Sequence, residues 1–246
     1  MEKITSVKNQ IIIGACELKN RAEQIAQQKY LVEGVNIVVE ALKNQVVETI
    51  FATKKHLATF KDFKNCIEIT DNVAAKLTDL KLSQEVFAVC RIKTNDFYSA
   101  HTLVIDGVQD PGNLGTLIRS AAAFGFKNIL CSHDTVNLYS GKVLRAIQGQ
   151  HFSLHIKYCD LVRTLKDLKE QDFLVLGTNL QGGNSQPVIS KNRKVAIVLG
   201  NEGQGVRPEI SELCEANILL EIEAQVESLN VAIAGSILMY LIKFGK

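Results

Sequence analysis

Three strongly apolar segments of this chain each adjoin a short loop of Gly, Asn and acidic residues, and all three lie in its C-terminal part. They are LVIDGVQDPGNLGTLIRSAAAFG (residues 103–125), AIVLGNEGQGV (196–206) and VESLNVAIAGSILMY (226–240). An apolar run without alternation suits a strand buried on both faces of a parallel sheet. Parallel α/β sheets gather their ligand sites in the loops at the strands' carboxyl ends. Three such junctions predict an α/β domain with one composite site.

The flanking sequence agrees with that class. KNILCS, FLVLGT and KVAIVLG read as buried strands of the same sheet. TLIRSAAAFG reads as a helix, because Leu117, Ala121 and Phe124 recur at i, i+4 and i+7 and Gly125 supplies a C-cap. SLNVAIAGSILMYLIKFG reads as a long apolar helix opening on Ser228, a good N-cap residue. Before them, residues 11–28 read as helix, KYLVEG as a strand with a glycine exit, and residues 35–42 as helix. VVETIFAT and EVFAVCRIK read as strands, and the polar TNDFYSAH as a linker. The expected architecture is a smaller α/β domain over residues 1–95 followed by an α/β sheet domain over residues 101–246.

Composition narrows the function classes. At 46% hydrophobic and 22% charged residues the chain is that of a soluble globular protein. It has no apolar run of about 18 residues, so no membrane span is expected. MEKITSVKNQIIIG lacks a secretory signal's pattern, and a cytoplasmic location is expected. The six cysteines show no CxxC spacing and read as reduced thiols. Net charge is +2, with 14 Lys+Arg against 12 Asp+Glu in residues 1–100 and 14 against 14 thereafter. Charge alone therefore does not announce a nucleic-acid binder, although a basic face in the N-terminal half is open. His151 and His155 have the spacing of helical metal ligands, but FSLHIKY alternates like a strand. Four strand residues span about 13 Å, too far for one metal, and no metal is expected. No nucleophile elbow is present.

Each loop admits a chemical and a bland reading. In the first, Pro111-Gly112 makes a tight turn, and Asn113 falls where a helix N-cap belongs or where its amide could face a ligand. Arg119 follows in the helix's second turn. A strand-to-helix turn offers backbone N–H groups and a positive dipole end to phosphate, and an arginine adds a bidentate fork. A surface ion pair accounts for Arg119 equally well. Asp106 and Asp110 read as turn and cap residues rather than a catalytic pair. In the second loop, three glycines within residues 200–205 permit positive φ and close ligand approach. Glu202, at a strand terminus, must be paired or functional. No Gly-Lys-Ser/Thr follows, and Pro208 stands at the third glycine position of GxGxxG, which excludes Walker A and dinucleotide loops. In the third loop Glu227, Ser228 and Asn230 cluster; capping explains Ser228 but leaves Asn230, a poor helix former, unexplained.

Together, DPGNLGTLIRSAAAFG, LGNEGQG and SLNVAIAGSILMY resemble, in order and spacing, the three signature motifs of the SpoU/TrmH family of SPOUT methyltransferases. The resemblance covers residues 101–246. KNRAEQIAQQKYLVEGVNIVVEAL is similar, more loosely, to the L30e-like substrate-binding domain of the family's rRNA-modifying branch. The resemblance implies methyl transfer from S-adenosylmethionine to a ribose 2′-hydroxyl of RNA, with 23S (large-subunit) rRNA the expected substrate. A tRNA ribose methyltransferase, or a non-catalytic RNA-binding or ribosome-assembly protein, are the alternatives. It also implies a deep trefoil knot around a mainly parallel sheet and an obligate homodimer.

The motif positions imply catalytic roles for Asn113, Arg119, Glu202, Ser228 and Asn230. They imply cofactor contacts at Gly200, Leu220 and Leu229, with Thr178 and Ile222 alongside. Arginine stays protonated, so Arg119 is expected to orient the substrate phosphate and hydroxyl. Asn113, Ser228 and Asn230 are expected to hold it, with Glu202 pairing to Arg119 or fixing the loop. Two places depart from the pattern: Leu220-Glu221-Ile222 replaces a common Ile-Pro-Met, and Gly141 stands where Pro is usual. For RNA contacts in the N-terminal part, Arg21, Glu33 and Lys54-Lys55 are candidates, or simply a solvated face.

Overall fold

The computed structural model describes residues 2–178, 193–223, 225–226 and 228–245. The chain forms two compact units, Met1–Lys93 with Asn137–Phe152, and Thr94–Val136 with Ser153–Lys246.

The first unit begins with β1 (Lys3–Ile4), α1 (Gln10–Glu17), α2 (Arg21–Gln27) and β2 (Lys29–Glu33). It continues through α3 (Val35–Lys43), β3 (Val47–Thr53), β4 (Cys66–Ile69), α4 (Asp71–Leu77) and β5 (Val86–Arg91). The strands order as β1-β4-β3-β5-β2, with β5 antiparallel to both its neighbours. Phe51, Phe87, Ile12, Ile69 and Leu77 form the core on one face. The single helix expected over residues 11–28 is two helices. Asn20 interrupts it, its side chain accepting from the Ala22 amide at 2.8 Å to start α2 afresh. Glu33 has an internal role: its carboxylate accepts from the Thr78 hydroxyl at 2.7 Å and the Gln84 amide at 3.0 Å, bracing the loop before β5.

The second unit opens with the polar residues 94–101, which carry no helix or strand but are pinned within it. Tyr98 donates to Asn128 Oδ1 at 2.8 Å, and Phe97 meets Phe173 edge-on. Next come β6 (Thr102–Ile105), α5 (Pro111–Phe124) and β7 (Asn128–Cys131). Residues 137–152, with α6 (Gly141–Ile147), then belong to the first unit, where His151 Nε2 meets the Tyr30 hydroxyl at 3.0 Å. The second unit resumes with β8 (His155–Tyr158), α7 (Leu161–Glu170), β9 (Leu174–Thr178) and β10 (Val195–Leu199). It ends with α8 (Pro208–Ser211), β11 (Ala216–Ile218) and α9 (Val231–Phe244). Its six strands pair in parallel in the order β11-β9-β10-β6-β7-β8. The apolar runs read from sequence are indeed buried strands: every residue of β6, β7 and β10 is buried.

Helix α9 packs on α5 and on the end of β10 through Gly235. A β-carbon there would lie 2.5 Å from Leu199 Cδ1 and 2.6 Å from Leu117 Cδ2, both on buried side chains. The missing side chain lets the two helices approach closely, which brings their N-termini together at the strand ends. Gly235→Val is expected to destabilise this unit by about 1–3 kcal/mol through overpacking. Gly14→Ala in α1, with open space around the new carbon, is expected to be neutral or stabilising by up to about 1 kcal/mol. Denaturant melts of both variants test the contrast.

Candidate active site

The site lies where the strand order reverses. From β6 the chain steps outward to β7 and β8; β10, β9 and β11 fill the other side, so β6 and β10 are central neighbours with Ile105 opposite Leu199. Such a switch point leaves a crevice between the loops leaving the two strands. Those loops here are residues 106–110 and 200–205.

In the first loop Asp110 is the N-cap of α5, its carboxylate accepting from the Asn113 amide at 2.8 Å. Asn113 therefore sits inside the first turn rather than at the cap, and its side chain is free for other partners. Asp106 is 2% exposed and accepts from Arg207 twice, from the backbone amide at 2.9 Å and from Nε at 2.8 Å. Both aspartates have structural roles. Arg207 went unnoticed in the sequence; its signal was a charged residue, Asp106, ending a fully apolar strand and needing a partner.

The second loop folds back on itself. Asn201 and Gly205 exchange backbone hydrogen bonds at 2.9 Å, and Gly205 has φ +73°. A β-carbon on Gly200 would overlap the backbone of Gly205 and Val206, so the turn requires glycine there. Asn201, also unforeseen, accepts from the Gly203 and Gln204 amides and donates to the Gly107 carbonyl at 2.8 Å.

Glu202 crosses from this loop to the first. Its carboxylate accepts from the Gln109 amide (3.2 Å), the Asp110 amide (3.1 Å) and Asn113 Nδ2 (3.0 Å). Partial burial raises the carboxyl's pKa, but the Asn113 amide and the backbone N–H groups outweigh that and hold it below the usual carboxylate value. Asn113 Oδ1 in turn accepts from Asn230 Nδ2 at 2.9 Å, and Asn230 Oδ1 accepts from the Ala232 and Ile233 amides. Asn230, not Ser228, is thus the N-cap of α9, which explains its position. Glu227 lies outside the described residues. Arg119 is exposed in the third turn of α5, and among the described residues no hydrogen bond or ion pair engages it. Asn113 and Asn230 hold each other rather than Arg119, and Glu202 fixes the loop.

Beside this hydrogen-bonded chain opens a cavity of about 740 Å³, within the usual range for small-molecule sites. Thr178, Gly200, Leu220, Ile222 and Leu229, the five positions expected to contact a cofactor, all line it, as do Ser228 and Asn230. Leu199, Ile218 and Leu238 supply apolar wall. The Thr178 hydroxyl is committed to the Val198 carbonyl at 2.9 Å. Neither Asn113 nor Arg119 is among the described residues lining the cavity. The arrangement can hold a small molecule with an apolar body and polar ends.

The SpoU rRNA Methylase family model matches residues 100–240, and an MRM3-like substrate binding domain matches residues 9–88. The 23S rRNA (guanosine(2553)-2′-O)-methyltransferase RlmP of Bacillus subtilis is 33% identical over 244 residues, 98% of each chain. A putative RNA methyltransferase of the TrmH family from Porphyromonas gingivalis superimposes with a TM-score of 0.85 at 26% identity, covering 97% of this chain and 98% of that one. The AdoMet-bound rRNA methyltransferase from Sinorhizobium meliloti gives a TM-score of 0.86 at 23% identity, covering 97% and 96%.

The lowered pKa of Glu202 sets a pH dependence. Its contribution to stability is full above the unfolded value near 4.5 and is lost as pH falls through the lower folded value. Glu202→Gln, which presents an amide donor to groups that are themselves donors, is expected to be less stable at neutral pH and to lack that part of the acid loss. Identical acid-unfolding profiles for the two proteins, followed by near-ultraviolet circular dichroism, would refute this role.

Proposed function

The chain belongs to the SpoU rRNA methylase family, and we propose that it transfers the methyl group of S-adenosylmethionine to a ribose 2′-hydroxyl of 23S rRNA. The observation that carries this reading is the coincidence of the cavity with the five expected cofactor positions, joined by Glu202, Asn113 and Asn230 to the helix that bears Arg119. The end-to-end relative from Bacillus subtilis is named for a guanosine of 23S rRNA, which makes a 23S guanosine the first target to test.

The cavity suits the cofactor. The tight turn, closed only because residue 200 is glycine, sets the loop backbone at the cavity wall, and Leu199 and Ile218 supply apolar wall for an adenine ring. When bound, S-adenosylmethionine supplies an electrophilic methyl on sulfur. The chain's task is then alignment, because a ribose hydroxyl is a poor nucleophile and the main gain comes from fixing the reacting groups together. The Arg119 guanidinium offers only donors and no acceptor, so it orients the hydroxyl rather than takes its proton. It binds the RNA phosphate and points the hydroxyl toward the cofactor. Glu202, Asn113 and Asn230 set the distance between α5 and the cavity, while Ser228 offers a hydroxyl at the cavity wall.

The reading extends to assembly. Ile233, Ile237, Tyr240, Leu241 and Phe244 form a stripe along α9, each 40–54% exposed. A contiguous apolar helix face of this kind marks an interface, and a second copy of the chain is its proposed occupant, giving a homodimer. The family's trefoil knot in the second unit, RNA binding by the first unit, and a cytoplasmic location belong to the same reading. No helix of the described residues is long and apolar enough to cross a membrane.

Mapping 2′-O-methyl groups on total RNA from cells with and without the protein is expected to show one lost site in 23S rRNA; loss from tRNA alone would overturn the substrate. Arg119→Lys is expected to lower turnover by about 100-fold through misalignment, with cofactor affinity unchanged by titration calorimetry. Near-normal turnover would refute the orienting role. Ile237→Glu is expected to shift the sedimentation coefficient from dimer to monomer.

A further inference from the structure

The cavity carries charge of one sign. Glu202, Glu221 and Glu223 line it, and no Lys or Arg stands among its described lining residues. The Glu202 carboxylate is turned toward the α5 loop, where three N–H donors occupy it. The Glu221 and Glu223 side chains, by contrast, have no hydrogen bond or ion pair among the described residues, and both are exposed at the cavity's edge. Glu221 falls in the triplet Leu220-Glu221-Ile222, where the chain departs from its motif.

The two small molecules this cavity must handle differ chiefly in charge. S-adenosylmethionine has a sulfonium, an ammonium and a carboxylate, a net charge of about +1 at neutral pH. S-adenosylhomocysteine, its product, has a neutral thioether and a net charge near zero. The two share the adenosine and the amino-acid tail, so the Gly200 turn and the apolar walls bind both alike. Electrostatic attraction is the contribution that separates them, and it acts over several ångströms without contact.

We propose that Glu221 and Glu223 make the cavity selective for the sulfonium cofactor over its thioether product, favouring exchange after each turnover. This rests on the proposed function, because it takes S-adenosylmethionine as the ligand. The selectivity is modest, since both carboxylates face solvent and the Debye length is about 8 Å at physiological salt. For a cation about 8 Å from each carboxylate, Coulomb attraction at a water-like dielectric of about 80 amounts to about a three- to tenfold preference at low salt.

Titration calorimetry of the full chain tests it with three ligands: S-adenosylmethionine, S-adenosylhomocysteine and sinefungin, an analogue that carries a primary ammonium in place of the sulfonium methyl. The wild type is expected to bind both cations more tightly than the thioether. In the Glu221→Gln, Glu223→Gln double variant the preference is expected to fall about three- to tenfold, through weaker binding of the two cations, with thioether affinity and melting temperature unchanged. Raising salt to about 0.5 M, where screening is nearly complete over these distances, is expected to shrink the wild-type preference toward the variant's. An unchanged preference in the double variant overturns the proposal while leaving the cofactor assignment intact. No binding of any of the three ligands by the wild type overturns both.

Discussion

The polarity of one hydrogen-bonded chain organises the second unit. Glu202 ends it with an acceptor, and the first N–H groups of α9 end it with donors. Between them the two asparagine amides have a single workable orientation: each turns its NH₂ toward the acceptor end and its oxygen toward the donor end. Reversing either amide would set oxygen against oxygen or N–H against N–H. Because the links come from all three Gly/Asn-rich loops, the chain fixes their mutual register. Gly235 makes it reachable, since the close approach it permits lets the N-termini of α5 and α9 stand within two side-chain lengths of each other.

That geometry explains which parts of the site sequence could and could not disclose. The strands at the centre were legible because a buried parallel strand writes itself as a local run of apolar residues, as in ILC and VAIVL. The caps were not. Asp110, Asn113, Ser228 and Asn230 are all good capping residues by intrinsic preference, and the choice among them is made by partners about 90 to 117 residues away. Asn113 is drawn from the capping role by Glu202, and Asn230 into it by the need to end the chain on donors. Arg207 and Asn201 escaped notice for the same reason: their roles lie in Asp106 and Gly107, across the strand switch. Of the residues singled out by the motif resemblance, Asn113 and Arg119 lie outside the cavity's described lining and the others lie in it, and their mutual contacts come only from the fold.

The first unit shows the same limit on a larger scale. Residues 137–152 follow the second unit's β7 in sequence, with nothing in their local pattern to separate them from it, yet they complete the first. What assigns them there is a buried aromatic cluster in which Tyr30 stacks near Tyr139 and shares a hydrogen bond with His151. Burial lowers the His151 pKa to about 3, so the imidazole is neutral and acts as a packing group. The sequence reading sets His151 aside as a metal ligand, and the structure gives it an apolar, aromatic environment, with Phe152 at 4.0 Å between ring centroids.

Separation of opposite charges ties the site's two tasks together. The proposed cofactor is a cation and the proposed substrate a polyanion, and both must reach the same few ångströms. The cavity presents carboxylates and, among the described residues, no cation, so it repels phosphate while attracting the sulfonium. Arg119 stands outside that lining on the exposed face of α5, with no hydrogen bond or ion pair among the described residues, while Glu202, Asn113 and Asn230 satisfy one another. Were Glu202 paired to Arg119 instead, the guanidinium would be neutralised toward RNA and the loop would lose its anchor. The hydrogen-bonded chain therefore does more than fix distance. By keeping the central carboxylate engaged with amides, it leaves the arginine's charge available to the proposed substrate and the outer carboxylates' charge available to the proposed cofactor.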